Sequence, residues 1–538
     1  MPLSTSSFAH ARIGRYLAAL PVLVFLGAVL VAPVLALLAY AVAQAGDAGA
    51  AWGLAAWTAP LTDGYLRQRL VWTLLQATVT TALALGFGVP MAWVLQRLEF
   101  VGRSAMQRTL LLPFVVPTLV VALGVLALFG PHGALARVLG VSVDSGAWLL
   151  LYGNLFFNLS VVVRPAMAAL AGVNASQLAA ARSLGATPWR AFWRLEWPLV
   201  SPAVLAACCL VFLYCFSGLG LALVLGGQQF STLEVEIYTL VAHELALGPA
   251  SVLALWVAAV GVGVTTLYAR LASRSITPVR VQPLPRRAPR GRAQTTLVLS
   301  MVLVFICFVL LPLVAIAQAA INSIATGWQV LVDEETLLAL GNTLRFCTVT
   351  VLASSVLGLL HGLAAHRWRW MRAFLFAPLV VSSVMVGFGL LVLYPRYSGS
   401  LVLLLAGYTL VAYPFVTQSV VAALDAMPAQ WLAAARLLGA TPWRAFWRVT
   451  LPLLVPALRR GAAFAAATAI GEFAVTLFLS RPEWTTLTTL IYQRLGRPGA
   501  SNLADALTLA LLLLLLAYGT FRAIEGPAAP ANPNVPHA

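Results

Sequence analysis

LAAARSLGATPWRAFWR, Leu178 to Arg194, recurs 254 positions later as LAAARLLGATPWRAFWR, Leu432 to Arg448, with Ser183 against Leu437 the one difference. Both copies are polar and Arg-rich, and each lies between long apolar segments of a chain that is otherwise mostly hydrophobic. Ala179 to Gly185 reads as a short helix closed by glycine, and Pro188 suits the first turn of a second helix. On that second helix Trp189, Phe192 and Trp193 put aromatic bulk on one face, with Arg190 and Arg194 one turn apart beside it. Pro198 and Pro202 are then expected to break the chain before the next apolar segment. Such an amphipathic helix between membrane segments either lies on the lipid surface or inserts into a groove on a partner protein. Its polarity marks the repeat as a cytoplasmic docking element, and its duplication marks the chain as a fused pair of equivalent membrane units.

Composition agrees. Of 538 residues 61% are hydrophobic and 9% charged, whereas about a quarter of a soluble globule is charged. The chain therefore reads as an all-α polytopic membrane protein. Its formal charge of +17 invites a nucleic-acid reading, but the basic residues are scattered between apolar runs instead of gathered on one surface with stacking aromatics. All 33 basic residues are Arg. Without lysine there is no phosphate-binding loop of the usual kind, so no cofactor is expected on this chain and ATP would be used by a partner. Cys208, Cys209, Cys215, Cys307 and Cys347 fall in apolar segments without metal-ligand spacing, as small core residues do.

Apolar stretches near the roughly 20 residues that cross a bilayer number twelve. They lie near 17–42, 71–95, 110–129, 148–163, 202–224 and 250–269, then near 296–318, 343–365, 374–394, 401–421, 461–479 and 505–521. Ala43-Gln44-Ala45 resembles a signal-cleavage site, but the apolar stretch before it is too long for a signal core, so it reads as an uncleaved anchor. With the N-terminus in the cytoplasm, 25 arginines fall on the cytoplasmic side and seven outside, leaving Arg345 within a span. That bias predicts both termini inside. Six spans per half make the two repeats parallel. The expected units are residues 1–272 and 295–538, joined by a Pro- and Arg-rich tether, 273–294. Gly153 pairs with Gly407, Pro202 with Pro456, and FSTLEVEIY (Phe230 to Tyr238) with WTTLTTLIY (Trp484 to Tyr492) at the same offset.

At these residues the chain resembles the inner-membrane permeases of ABC importers, whose coupling loop has the pattern Ala-Ala, three residues, Gly, nine residues, then two hydrophobic positions and Pro. One copy has Ala180, Ala181, Gly185, Leu195, Trp197 and Pro198, and the other Ala434, Ala435, Gly439, Val449, Leu451 and Pro452. The resemblance implies that each loop seats in an ATPase subunit, giving two ATPase copies, a periplasmic solute-binding protein as third partner, and a bacterial inner-membrane location. Pro188, Arg190, Pro442 and Arg444 belong to the same docking elements. The family's leading Glu is Ala179 here and Ala433 in the second copy, so that ion pair is missing and Arg182 and Arg436 are the next contacts to consider.

Fused permeases of this length are similar to the thiamine and ferric-iron permeases. LFFNL (Leu155 to Leu159) and CFSG (Cys215 to Gly218) favour thiamine or its phosphates, with ferric iron as the alternative. Glu472 is the one acid within an apolar segment, where an unpaired carboxylate is costly. It is either a hydrogen-bonded structural carboxylate or a counter-charge for a cationic solute, and its repeat-mate is Gly218. Asn158, Phe157, Tyr214 and Tyr413 are further pathway candidates, since aromatic rings stack on flat cations, although such residues also serve helix packing. A secondary transporter is the more distant reading. It would carry a Gly-Asp-Arg type loop between the second and third spans, where Gln96 to Arg108 has none. Clustered catalytic residues are absent from the sequence, so an enzyme is not expected. The expected mechanism is alternating access.

Overall fold

A computed structural model of the chain describes residues 19–47, 54–131, 145–274, 284–375, 377–479 and 481–526, with isolated positions 133, 140 and 143. Arg12, Arg15, most of Pro131 to Gly140 and part of the tether lie outside the described residues. Ten helices are long and apolar enough to cross a membrane. In the first half these are α1 (Ala19–Ala43), α2 (Gly64–Arg97), α5 (Ala147–Ala171), α7 (Pro188–Phe216) and α10 (Leu247–Ala272). The loop helix α6 (Ala175–Ser183) and two short helices, α8 (Gly220–Leu225) and α9 (Leu233–Ala242), lie between them.

The second half repeats the order. Its long helices are α11 (Gly291–Ser323), α12 (Glu334–Arg367), α14 (Leu401–Ala426), α16 (Pro442–Gly471) and α19 (Ala500–Glu525). Its short ones include α15 (Ala429–Leu437), α17 (Ala474–Leu479) and α18 (Leu487–Leu495). The 34-residue helices α2 and α12 correspond as well, so the repeat begins before Gly153 and Gly407, the first pair matched in the sequence.

The third segment of each half departs from the simple span expected. In the first half α3 (Arg103–Phe114) meets α4 (Thr118–Phe129) at 116°. Pro113 and Pro117 cause the break, since proline removes a helical donor and pushes the preceding residue out of the helical region. In the second half only α13 (Ser383–Leu393) is a continuous helix of any length, and it starts where Ser382 accepts a hydrogen bond from Met385 N at 3.0 Å. Broken backbone is tolerated at membrane depth where it lines a cavity, and both breaks do so, as shown below.

Pro198 and Pro202 do not break the chain. α7 runs unbroken from the loop into the bilayer because Phe192–Glu196 forms a π turn, closed by Trp197 N–H donating to Phe192 O. The second copy does the same at Phe446–Thr450, with Leu451 N–H donating to Phe446 O. A wider turn before Pro198 and Pro452 leaves room for a residue that cannot donate.

The halves hold one another through their first helices. α1 reaches the second half, where Tyr394 Oη donates to Ala28 O at 3.2 Å and a Cβ added at Gly389 would stand 2.9 Å from Pro33. α11 reaches the first half in the same way, with Phe308 stacked 5.9 Å from Phe87 and Pro312 O close against Gly124. Within each half the tight contact is between corresponding helices. Gly88 meets Val162 on α2 and α5, and Gly358 meets Val416 on α12 and α14. The tether is pinned too: Glu99 N donates to Arg287 O at 2.9 Å.

The two loops are at one end of the bundle. Arg108, Arg164 and Arg522 line one groove there, joining the ends of α3, α5 and α19, and Arg97 at the end of α2 pairs with Glu196 of α7 at 3.5 Å. Both members of that pair are buried. The repeat-mate of Glu196 is Thr450, and the second half instead has the half-exposed pair Arg372 and Asp425 at 2.7 Å. Arg97→Leu strands a buried carboxylate and is expected to cost about 3–5 kcal/mol, read as a lowered melting temperature, with most of it restored by adding Glu196→Leu. Arg372→Leu should cost under about 1 kcal/mol; equal losses from the two single changes would contradict this account.

Candidate functional site

Each docking loop is built by local chemistry that repeats in detail. α6 ends in a Schellman turn: Gly185 N donates to Arg182 O at 2.9 Å and Ala186 N to Ala181 O at 3.0 Å. In the second copy Gly439 N donates to Arg436 O and Ala440 N to Ala435 O, both at 3.0 Å. The turn needs a left-handed residue, and Gly185 and Gly439 have φ of +81° and +79°. Two residues later Thr187 and Thr441 cap the next helix by accepting from Arg190 N and Arg444 N, each at 3.3 Å, with Pro188 and Pro442 in the first turn.

The surface this presents is open. Ala180, Arg182, Arg190 and Pro198 are exposed, as are Ala434, Arg436, Arg444 and Pro452, while Ala181 and Ala435 are half-buried beneath them. Trp189 packs edge-on against Trp193 at 5.5 Å, as Trp443 does against Trp447 at 5.4 Å. Yet Trp189 is still 70% exposed and Trp443 69%. Paired tryptophans left this bare on both copies, beside Arg190 and Arg194 and beside Arg444 and Arg448, make an exposed aromatic surface of the kind that meets a lipid surface or another protein.

A second site lies between the halves. A cavity of about 420 Å³ is bounded by the proline breaks at Pro117 and Pro378 and by α5, α7, α14 and α16. Phe157, Asn158, Tyr214 and Glu472 all line it. Tyr413 does not: it is buried, 5.9 Å from the ring of His361 and 6.1 Å from that of Phe25. On α14 the cavity stripe is Leu410, Val411, Pro414, Phe415 and Gln418, and Tyr413 sits more than a third of a turn from its centre. Phe415 and Gln418 are the lining residues that a search for polar and ring-bearing side chains should have taken instead.

Asn158 donates to Asn154 O at 2.8 Å and to Cys215 Sγ at 3.2 Å. Asn154 donates to Gln76 Oε1 at 2.9 Å, and Gln76 to Cys215 O at 2.7 Å. This amide chain ties α2, α5 and α7 together and holds the cavity wall, a part that neither Gln76 nor Asn154 announces in sequence.

Glu472 is a hydrogen-bonded carboxylate that also lines the cavity. It ends α16 in an extended conformation, ψ 127°, and its Oε1 accepts from Val475 N at 3.0 Å, capping α17. Its backbone oxygen accepts from Thr488 Oγ1 at 3.0 Å. Held by this backbone donor, the carboxylate sits in the cavity wall at the start of α17.

Beyond Glu472, away from the loops, repeat-mates meet. Tyr238 hydrogen-bonds Tyr492, Tyr492 packs 5.1 Å from Phe473, and Tyr238 lies 5.8 Å from Phe478. This aromatic cluster adjoins the cavity through Phe473, which lines it. Among the described residues no group of three or more His, Cys, Asp and Glu side chains could hold a metal ion.

A Cβ at Gly185 or Gly439 would meet nothing within 4 Å, so substitution there acts through backbone strain alone, about 1–2 kcal/mol for a residue other than Gly or Asn. Gly185→Val with Gly439→Val is expected to leave membrane insertion intact and abolish solute uptake by the assembled complex, while Asn at both positions keeps most of it. Unimpaired uptake by the double Val variant would contradict the assignment of these loops.

The chain matches the family model described as binding-protein-dependent transport system inner membrane component twice, over residues 84–277 and 351–525. It is 26% identical to the thiamine transport system permease protein ThiP of Haemophilus influenzae over 481 residues, 85% of this chain and 88% of that protein. To ThiP of Escherichia coli it is 26% identical over 492 residues, 87% of this chain and 90% of that protein. A putative 2-aminoethylphosphonate permease, PhnV of Salmonella choleraesuis, matches at 28% over 43% of this chain. Members of this family are transport subunits, not enzymes, and work with an ATPase and a solute-binding protein. With two family units, two docking loops and ten membrane-length helices, this chain belongs to the binding-protein-dependent inner-membrane components: it is a multi-pass ABC-importer permease with both units fused in one polypeptide.

Proposed function

We propose that this permease carries thiamine or its phosphates into the cytoplasm. Co-linear similarity to thiamine permeases through both repeats supports the choice. The cavity is compatible with it: Phe157, Tyr214 and Phe415 offer rings to a flat cationic heterocycle, and Glu472 offers the counter-charge. Ferric iron, the alternative solute, draws no support from this lining, in which Glu472 is the one carboxylate among the described residues.

In this reading the loop end and both termini face the cytoplasm, and the units 1–272 and 295–538 act as two arms joined by the 273–294 tether. One ATPase subunit seats on each loop. ATP is bound there and no cofactor by this chain. A periplasmic binding protein delivers solute at the far end, above the Tyr238–Tyr492 layer. Closure of the ATPase pair draws the loops together, the tyrosine layer parts, and solute reaches the cavity; reopening of the ATPases restores the layer and frees the solute inward.

Glu472→Gln retains an acceptor for the Val475 N–H but removes the charge. Thiamine uptake by the complex is expected to fall roughly ten-fold, the equivalent of about 1.4 kcal/mol, with folded protein abundance unchanged. Full uptake by this variant would remove Glu472 from the pathway. Uptake of ferric iron but not thiamine by the unmodified complex would overturn the choice of solute.

A further inference from the structure

A second groove, of about 510 Å³, opens at the loop end, beside the axial cavity and distinct from most of it. It lies between α3 and α5 of the first half and α19 of the second. Its floor is apolar, with Leu111, Val115 and Phe521 among the lining residues. Its rim has Arg108, Arg164 and Arg522, one from each helix, with Tyr518 one turn before Arg522.

These arginines are sparsely neutralised. Arg522 Nη1 is 3.8 Å from Glu525 Oε2, while Arg108 donates to its own helix at Ser104 O and Arg164 stands 5.8 Å from the ring centre of Phe114. Among the described residues neither Arg108 nor Arg164 forms a salt bridge. The three side chains are exposed, and so is Tyr518. Three guanidiniums against one carboxylate leave a positive field over an apolar floor.

The repeat shows that folding does not demand this charge. The position of Arg164 is occupied by Gln418 in the second half, at the same place on the corresponding helix. The second half therefore lacks the arginine that α5 contributes to this groove. Tyrosine and arginine at the end of a spanning helix also mark the level of the membrane interface.

We propose that this groove holds an anionic phospholipid, with its phosphate among Arg108, Arg164 and Arg522 and an acyl chain along the Leu111, Val115 and Phe521 floor. A guanidinium cluster recognises a phosphate, and basic pockets between spanning helices suit anionic headgroups. A free phosphate ion would use the rim but not the floor. Because the groove is shared between the halves, the bound lipid braces the first half against α19.

The test is native mass spectrometry of the full chain after exchange into equal amounts of phosphatidylglycerol and phosphatidylcholine. Phosphatidylglycerol is expected to be retained preferentially, and its retention to fall roughly five-fold for each arginine changed to Gln. Arg396→Gln, at an exposed position remote from the groove, should leave retention unchanged. Should the triple variant fail to fold, Arg164→Gln alone carries the test. Equal retention of the two lipids, undiminished phosphatidylglycerol on Arg164→Gln and the triple variant, or displacement of the lipid by millimolar inorganic phosphate would each overturn the proposal, the last assigning the rim to a small anion.

Discussion

Each docking loop is joined to the cavity wall without a hinge. The π turns at Phe192–Glu196 and Phe446–Thr450 allow the helices to pass Pro198 and Pro452 unbroken. Arg190 and Tyr214 are therefore on one rod, α7, and Arg444 and Phe464 on another, α16. A displacement of either loop has to move the wall with it, because an α-helix transmits displacement along its axis and cores repack in discrete steps. The Schellman turns at Gly185 and Gly439 hold the outer part of each loop at a set angle to its rod.

Much of this was legible in the sequence, and the parts that were not have physical reasons. Gly185 and Pro188 act through their neighbours along the chain, so the end of one loop helix and the start of the next could be read directly, whereas the π turns that carry α7 and α16 past Pro198 and Pro452 could not. The long apolar helices could be read from composition. The third segment of each half was misjudged as a plain span because apolarity hides backbone breaks; Pro113 and Pro117, four residues apart, were the signal available. Tyr413 was misplaced because apolar stretches carry little phase information: its neighbours Pro414 and Phe415 face the cavity and it does not. The Arg97–Glu196 pair joins residues far apart in sequence, and only the Thr450 at the matching position of the second loop hints that Glu196 has a local partner. The crossing of α1 and α11 to opposite halves has no local signature at all.

Fusion of two units in one chain has allowed them to differ where it matters. Glu472 faces Gly218, Glu196 faces Thr450 and Arg164 faces Gln418 across the repeat, while the docking loops remain nearly identical. The unequal residues place Glu472 in the cavity between the halves and Arg164 in the groove on one flank, so the repeat is kept most strictly in the loops and relaxed in the walls of the two cavities.

The central claim is that motion of the loops and of the aromatic layer is one motion. It is tested most directly by the distance between spin labels at Leu184 and Leu438, exposed repeat-mates on the two loops, in the complex with its ATPase and without native cysteines. Addition of a non-hydrolysable ATP analogue should shorten that distance and, with a second label pair at Thr239 and Gln493, lengthen the one across the far end. A loop distance that shortens while the far end stays unchanged, in a complex that still transports, would contradict the account.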